Sequence, residues 1–272
     1  MSILTQIIAH KRKEVAERRS LYPVPLLERS IYFDTPTVSL RKYLLRPDKA
    51  GVIAEFKRRS PSKGDIHLYA EVERISIGYM QAGASALSVL TDTEFFAGKN
   101  EDLSIARQFN FCPILRKDFI VDEYQIIEAR SIGADAILLI SEVLEKAEVA
   151  RLSRFAQSLG MEVLLEMHSE AQLDKIAPHV DIVGVNNRNL EDFSVDLEAS
   201  VALAQRLPAD LVRISESGIH SAEDAAMLRT NGFHGLLIGE QFMRAPHPEK
   251  ACEVFIRELK GLLAQTAREA AQ

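Results

Sequence analysis

From about residue 50 onward the chain repeats one pattern: a short, nearly continuous apolar run, a polar loop, then an amphipathic stretch of helical length. The runs cover 52–56, 86–90, 113–115, 136–140, 163–165, 182–185, 211–214 and 236–238. Each is apolar on both faces, which predicts parallel strands covered by helices and argues against a half-wet antiparallel sheet. Eight βα units spaced by roughly 25 residues fit the α/β class and, within it, the (β/α)8 TIM barrel. A doubly wound open sheet is the alternative, weakened by the lack of a GxGxxG turn.

The helical stretches carry their own punctuation. Those over 75–82, 124–132 and 147–159 stop at Gly83, Gly133 and Gly160, just before the next run. Ser221 followed by Asp224 reads as a capping box that opens the seventh barrel helix. Residues 1–50 stand outside the repeat and predict a helical extension to a barrel spanning 51–272. In it Ile3, Leu4, Ile7, Ile8 and Val15 form one apolar stripe behind a Ser2 cap, Pro23 and Pro25 break the helix, and a second short helix covers 39–45. Such an extension either plugs the barrel floor or folds as a flap over its mouth, and the stripe fits both.

Composition narrows the partners. With 47% hydrophobic and 26% charged residues, 272 residues can build a core unaided, which excludes a disordered or fibrous chain. Lys and Arg total 33 against 39 Asp and Glu, a net charge of -6, without the basic excess of a nucleic-acid binder. The absence of Trp and the 7% aromatic content make a poor stacking platform for single strands. Cys112 and Cys252 lie far apart with no CxxC pair, so a reducing compartment is expected rather than a disulfide or zinc scaffold. The N-terminal stretch is charged from Lys11 onward, and no segment reaches the roughly 20 apolar residues of a membrane span. The chain is therefore expected to be cytoplasmic, with neither a membrane nor a nucleic-acid partner.

Barrel enzymes carry their reactive groups at the C-terminal ends of the strands. The first run ends AEFKRRSPSKG, and alternation puts Ile53, Glu55 and Lys57 on one face with Phe56 on the other. The third ends ILRKDF, pairing Leu115 with Lys117, and the fifth ends VLLEM, pairing Leu164 with Glu166. The sixth and seventh run into VNNRN and ISESG. A charge completing an apolar strand is costly unless paired or hydrated. Singly, each reads equally well as a surface charge. Together, Glu55, Lys57, Lys117, Glu166 and Glu216 converge on one mouth as a mixed acid and base set.

The loops after the last two strands are the usual phosphate cradle of such barrels. Here Gly218 and Gly239 leave room for an anion, and a short helix starting near Glu240 would add its positive end. Basic residues gather at the same ends: Lys57, Arg58, Arg59, Lys63, Arg116, Lys117 and Arg188. A basic mouth on an acidic protein predicts a small anionic substrate. Phe95, Phe96 and Phe119 could wall it, or simply pack in the core. No metal site is expected: the seven histidines are scattered, and His168, beside a candidate catalytic residue, reads as a loop residue without a partner at ligand spacing. No GxSxG elbow or Cys/His pair stands out.

Taken in order, AEFKRRSPSKG, LRKDF, LLEMH, GVNNRNL, ISESGI and IGEQFMR resemble the strand ends of the indole-3-glycerol-phosphate synthase family, over essentially the whole chain. The resemblance implies ring closure, decarboxylation and dehydration of 1-(2-carboxyphenylamino)-1-deoxyribulose 5-phosphate to indole-3-glycerol phosphate, with no metal or organic cofactor. It implies Lys117 as general acid in ring closure, Glu166 as base or proton relay in dehydration, and Lys57 against the substrate carboxylate. Glu55 would orient the lysines, while Asn186, Arg188, Glu216 and Ser217 line the site and Ser60, Gly218, Gly239 and Glu240 surround the phosphate. Two other readings remain open on the residues alone: a phosphosugar isomerase or Schiff-base aldolase, and a non-catalytic phosphate-ligand sensor.

Overall fold

Each apolar run becomes a strand whose two faces are both covered. In the computed structural model these are β1 (Val52–Phe56), β2 (Ala86–Leu90), β3 (Ile114–Lys117), β4 (Ala136–Ile140), β5 (Glu162–Met167), β6 (Ile182–Asn186), β7 (Val212–Glu216) and β8 (Gly235–Ile238). The structure describes residues 2–189 and 193–270; Leu190, the last residue of the GVNNRNL string, lies outside them. All eight strands pair in parallel with their sequence neighbours, and β8 returns to β1 with Val52 opposite Leu236, closing a (β/α)8 barrel that has no free edge.

Alternation sorts the strand residues into two packed layers. Ile53, Leu115, Leu138, Leu164, Ile214 and Leu237 fill the barrel interior. Their neighbours Val52, Phe56, Val89, Ile137 and Leu165 pack outward under the helices. Three strands carry a charged residue at or next to their C-terminal end. Lys117 pairs with Leu90, Glu166 with Ile140, and Glu216 with Asn186, so these side chains belong to the strands and not to the loops that follow. Backbone pairing thus fixes their direction.

The helix ends follow the expected chemistry. Gly133 takes φ +95° where the helix Glu123–Ser131 stops, a conformation that costs a residue with a Cβ. Ser221 accepts from the Asp224 amide at 3.1 Å, and the Asp224 carboxylate accepts from the Ser221 amide at 3.2 Å. Among the described residues no helix is long and apolar enough to cross a membrane. Both cysteines are free and buried.

The extension does both of the jobs its stripe allows. Helix α1 (Ile3–Leu21), capped by Ser2 accepting from the Thr5 amide, brings Ile3, Leu4 and Ile7 over the mouth. Helix α3 (Leu40–Leu44) sends Leu40 and Leu44 into the interior cluster, and Leu44 approaches Gly235 at the start of β8. One element is therefore the flap and the other the floor plug. Pro25 breaks nothing: α1 already ends at Leu21, and Pro25 sits in the first turn of α2 (Val24–Leu27), where its missing amide hydrogen is not needed. The buried row of α1 is Ile7, Lys11 and Val15, with a lysine where the apolar stripe predicts none.

Candidate active site

At the C-terminal mouth, β3, β5 and β7 bring one ammonium and two carboxylates together. Lys117 Nζ donates to Glu166 Oε2 and to Glu216 Oε2, each at 3.0 Å. Asn186 Nδ2 donates to the other oxygen of Glu166 at 3.1 Å, and Asn186 Oδ1 accepts from the Arg188 amide at 3.0 Å. On β1, Lys57 Nζ donates to Glu55 Oε1 at 2.6 Å, while Ser88 Oγ reaches the other Glu55 oxygen at 3.4 Å.

Two glycines make room for these carboxylates. A Cβ on Gly184 would lie 2.1 Å from Glu216 Oε1, and one on Gly239 would lie 2.6 Å from Glu55 Oε1. Gly239 has φ -126°, so space and not left-handed backbone explains its smallness. At the end of β7 the backbone itself is unusual, because Ser217 and Gly218 both take φ +69°. For a serine this conformation costs about 1 kcal/mol or more, a strain that structures keep mainly where a turn has work to do.

Burial and charge separate the two carboxyls. Burial pushes Glu216 up to about 7; Lys117 opposes the shift, and Glu166 and Glu55 add to it. Burial would also raise Glu166, but Lys117, His168 and Asn186 outweigh it and hold Glu166 below the ordinary carboxylate range. Burial alone would lower the Lys117 ammonium, yet Glu166, Glu216 and Glu55 raise it above its ordinary value. Near neutral pH the cluster therefore holds a charged lysine, an ionised carboxylate and a carboxyl ready to take a proton. Such divergence between neighbouring groups is how acid and base roles are divided.

The rest of the pocket has two characters. Phe96 and Phe119, with ring centroids 5.8 Å apart, join Ile3, Leu4 and Ile7 in an apolar wall. Ser60, Ser62, Arg188, Ser217 and Gly239 belong to the polar part of the lining. Arg188 donates to Ser62 Oγ at 3.3 Å and to Glu240 Oε2 at 3.2 Å. Burial would raise the Glu240 carboxyl, but Arg188 holds it below the ordinary range, so its side chain anchors Arg188 as an anion.

Of the candidates read from the sequence, Glu55, Lys57, Ser60, Lys117, Phe119 and Glu166 line this pocket, as do Asn186, Arg188, Glu216, Ser217, Gly218, Gly239 and Glu240. Phe95 does not. Its ring stands edge-on to His10 at 5.7 Å, because the short helix Thr93–Phe96 turns Phe96 inward instead. Three of the basic residues also leave the mouth. Arg116 alternates outward from Lys117 and is buried against Thr91, Asp118 and Glu128. Arg58 pairs with Asp102 and lies over the Phe56 ring at 4.8 Å, and Arg59 pairs with Asp65 at 2.7 Å.

Other residues escape the sequence reading. His168 is a loop residue as expected, one position past the end of β5, yet its Nε2 lies 3.5 Å from Glu166 Oε1 and both ring nitrogens are buried without a hydrogen-bond partner. Its place two residues after Glu166 is the available signal. Phe193 also lines the pocket, and nothing in the polar loop that carries it marked it out. Among the described residues no group of three or more His, Cys, Asp or Glu is arranged to hold a metal ion.

A family model described as indole-3-glycerol phosphate synthase matches residues 4–255. The indole-3-glycerol phosphate synthase of Bacteroides thetaiotaomicron is 46% identical over 258 residues, 95% of this chain and 99% of that one. Its counterpart from Carboxydothermus hydrogenoformans is 41% identical over 262 residues, 93% and 99% of the two chains. Among solved structures, tryptophan synthase subunit alpha from Legionella pneumophila has a TM-score of 0.61 at 16% identity, over 83% of this chain and 98% of that one. Thiamine phosphate pyrophosphorylase from Pyrococcus furiosus has a TM-score of 0.59 at 18% identity, over 84% and 98%. At such identities the structural likeness carries the barrel alone.

Proposed function

The chain belongs to the indole-3-glycerol phosphate synthase family, and on that premise we propose which of its side chains carry each step. It is a carboxy-lyase of tryptophan biosynthesis, which closes, decarboxylates and dehydrates 1-(2-carboxyphenylamino)-1-deoxyribulose 5-phosphate to indole-3-glycerol phosphate.

Ring closure makes a carbon–carbon bond to the ribulose carbonyl and needs a proton at its oxygen. Lys117 is the donor. The observation that carries this assignment is its position between Glu166 and Glu216, at 3.0 Å from each, which keeps the ammonium charged. The same environment disfavours a Schiff base, since that chemistry needs a neutral amine. Closure leaves an iminium in the new ring that accepts the electron pair released with carbon dioxide, so the substrate supplies its own electron sink. Loss of water then needs a base at the ring and an acid at the departing hydroxyl. Glu166 is ionised and oriented by Asn186, which suits it to the base role.

Lys57 meets the substrate carboxylate, with Glu55 holding its ammonium in place. Arg188, Ser217 and Phe119 position the rest of the substrate. Ser60 and the backbone at Gly218, Gly239 and Glu240 receive the phosphate, while the Glu240 side chain braces Arg188. The proposed partner is thus a small anion carrying a carboxylate and a phosphate, with no part for nucleic acid. In the same reading 1–50 is an extension of a catalytic barrel at 51–272, and the free thiols suit a reducing cytoplasm.

Single-turnover kinetics with carbon dioxide and indole formation followed separately test the roles. Lys117→Met should lose turnover by about 10²-fold or more with near-normal affinity for a product analogue. Lys57→Met should mainly lose affinity. Glu166→Gln should release carbon dioxide and then accumulate a hydrated intermediate; if it blocks carbon dioxide release as fully as Lys117→Met, the late-base role is wrong.

A further inference from the structure

Beside the active site lies a second set of charges to which no step of the reaction is assigned, and it reaches the pocket lining at Asp118. Lys11, in the middle of α1, is 1% exposed, and its ammonium sits 2.8 Å from Glu14, 2.9 Å from Asp92 and 3.0 Å from Asp118. Burial alone would lower such an ammonium, but Asp118, Asp92 and Glu14 raise it instead. Asp118 also accepts from Thr91 at 2.6 Å and from Arg116 at 3.1 Å. Arg116 continues to Glu128 at 2.6 Å, and Glu128 returns to α1 by accepting from Arg18 at 2.5 Å. The network therefore leaves α1 at Lys11 and comes back to it two turns later.

What it encloses is specific. Arg116 and Asp118 are the two chain neighbours of Lys117, and Asp92 caps the short helix that carries Phe96 by accepting from the Phe95 amide at 2.8 Å. On α1 itself, Ile7 lies one turn before Lys11 and forms part of the pocket wall. An apolar side chain at position 11 could fill the same space. A buried ion pair is a poor source of net stability compared with such packing, but its direction fixes one register.

We propose that Lys11 is a positioning residue for the reaction: together with Arg18 it clamps the flap helix to the residues on either side of Lys117. Covering of the mouth by Ile3, Leu4 and Ile7 and placement of the Lys117 ammonium are then one event, set by one buried network. The inference rests on Lys117 being the general acid. A flap displaced at Lys11 loosens the apolar wall and also frees the backbone that aims the acid, so binding and chemistry suffer together.

The test uses full-length protein. Lys11→Met leaves Asp92 and Asp118 short of a cation and can simply weaken the fold, so the decisive variant is Lys11→Met/Asp92→Asn. It removes the ammonium together with a carboxylate, and asparagine keeps the helix cap. The double variant should recover most of any loss in Tm, yet retain a KM raised about tenfold and a single-turnover ring-closure rate lowered about tenfold, as expected for a slightly misplaced acid. Arg18→Met, which leaves Glu128 with Arg116, should move both constants the same way by about threefold. Arg74→Met, which removes an exposed guanidinium paired with Glu249 at 2.6 Å and outside the pocket lining, should change neither. A folded double variant with wild-type constants overturns the clamp, and so does a raised KM with an unchanged single-turnover rate, since the link to Lys117 would be missing. Lys117→Met run in parallel separates the two ideas: full turnover there sinks the general-acid assignment, whereas loss there with intact Lys11 variants sinks only the clamp.

Discussion

Two carboxylates share one ammonium at the heart of the mouth, and the excess negative charge has to be relieved by a proton. Glu216 is the one that takes it more readily, because its Oε1 lies against Gly184 with no hydrogen-bond partner, whereas Glu166 keeps Asn186 and Lys117. The consequence is a pH dependence of stability. With its folded pKa raised to about 7, Glu216 keeps a proton in the folded state over a window where the unfolded chain has already released it. Folding therefore binds more protons there, and this group's contribution declines as pH rises from the ordinary carboxylate range through 7. Glu166, shifted the other way, contributes above the ordinary carboxylate range and loses its share only as pH falls below it. Thermal unfolding of wild type and Glu216→Gln at pH 5 and pH 8 isolates the first effect. The wild type should lose more Tm between these values than the variant, and equal losses would show that Glu216 is ionised throughout.

At the scale of the element, β6 shows how a strand is shaped around its neighbour. Ile182, Gly184 and Asn186 share a face, and Gly184 is the gap into which Glu216 of β7 fits. Gly184→Ala would place a methyl 2.1 Å from the carboxylate oxygen and push it off Lys117. The expected result is a kcat loss of about tenfold or more in an enzyme that still folds, checked by steady-state kinetics beside circular dichroism. Wild-type kcat in this variant would mean that Glu216 does not need its present position. Much of this level was legible in the chain, since a continuous apolar run with one charged residue near its end specifies both the strand and the face of that charge. Glu55, Lys117 and Glu166 reach the mouth for that reason. Alternation fails where the helix intervenes: Phe95 and Phe96 are adjacent on a four-residue turn whose rotation no local pattern fixes, so only the structure tells which of them faces substrate. Arg116 and Lys11 are hidden for a different cause. A long cation reads as solvated, and only tertiary pairing with Glu128, Asp118 and Asp92 reverses that reading.

For the whole molecule, the division of the extension between flap and plug has unequal consequences for stability and function. Leu40 and Leu44 close the bottom of the interior layer formed by residues such as Ile53, Ile182 and Ile214, so removing them opens the core. Leu44→Ala should cost about 2–5 kcal/mol, the usual range for a buried leucine, with KM little changed because the mouth lies at the other end of the barrel. Deleting residues 2–22 is different. It removes α1 and the Lys11 ammonium, but it also uncovers Asp92 and Asp118, which then regain water instead of remaining buried without a partner. The truncated barrel should therefore fold with a Tm closer to the wild type than that of a chain cut back to residue 45, which also loses the plug. Its KM should rise because Ile3, Leu4 and Ile7 no longer wall the pocket. Thermal unfolding and steady-state kinetics on the two truncations check both halves of the argument. If deletion of 2–22 destabilises the barrel as much as deletion to residue 45, α1 is part of the core and the separation of flap from plug fails. If it folds with unchanged KM, α1 covers the mouth without contributing to substrate binding.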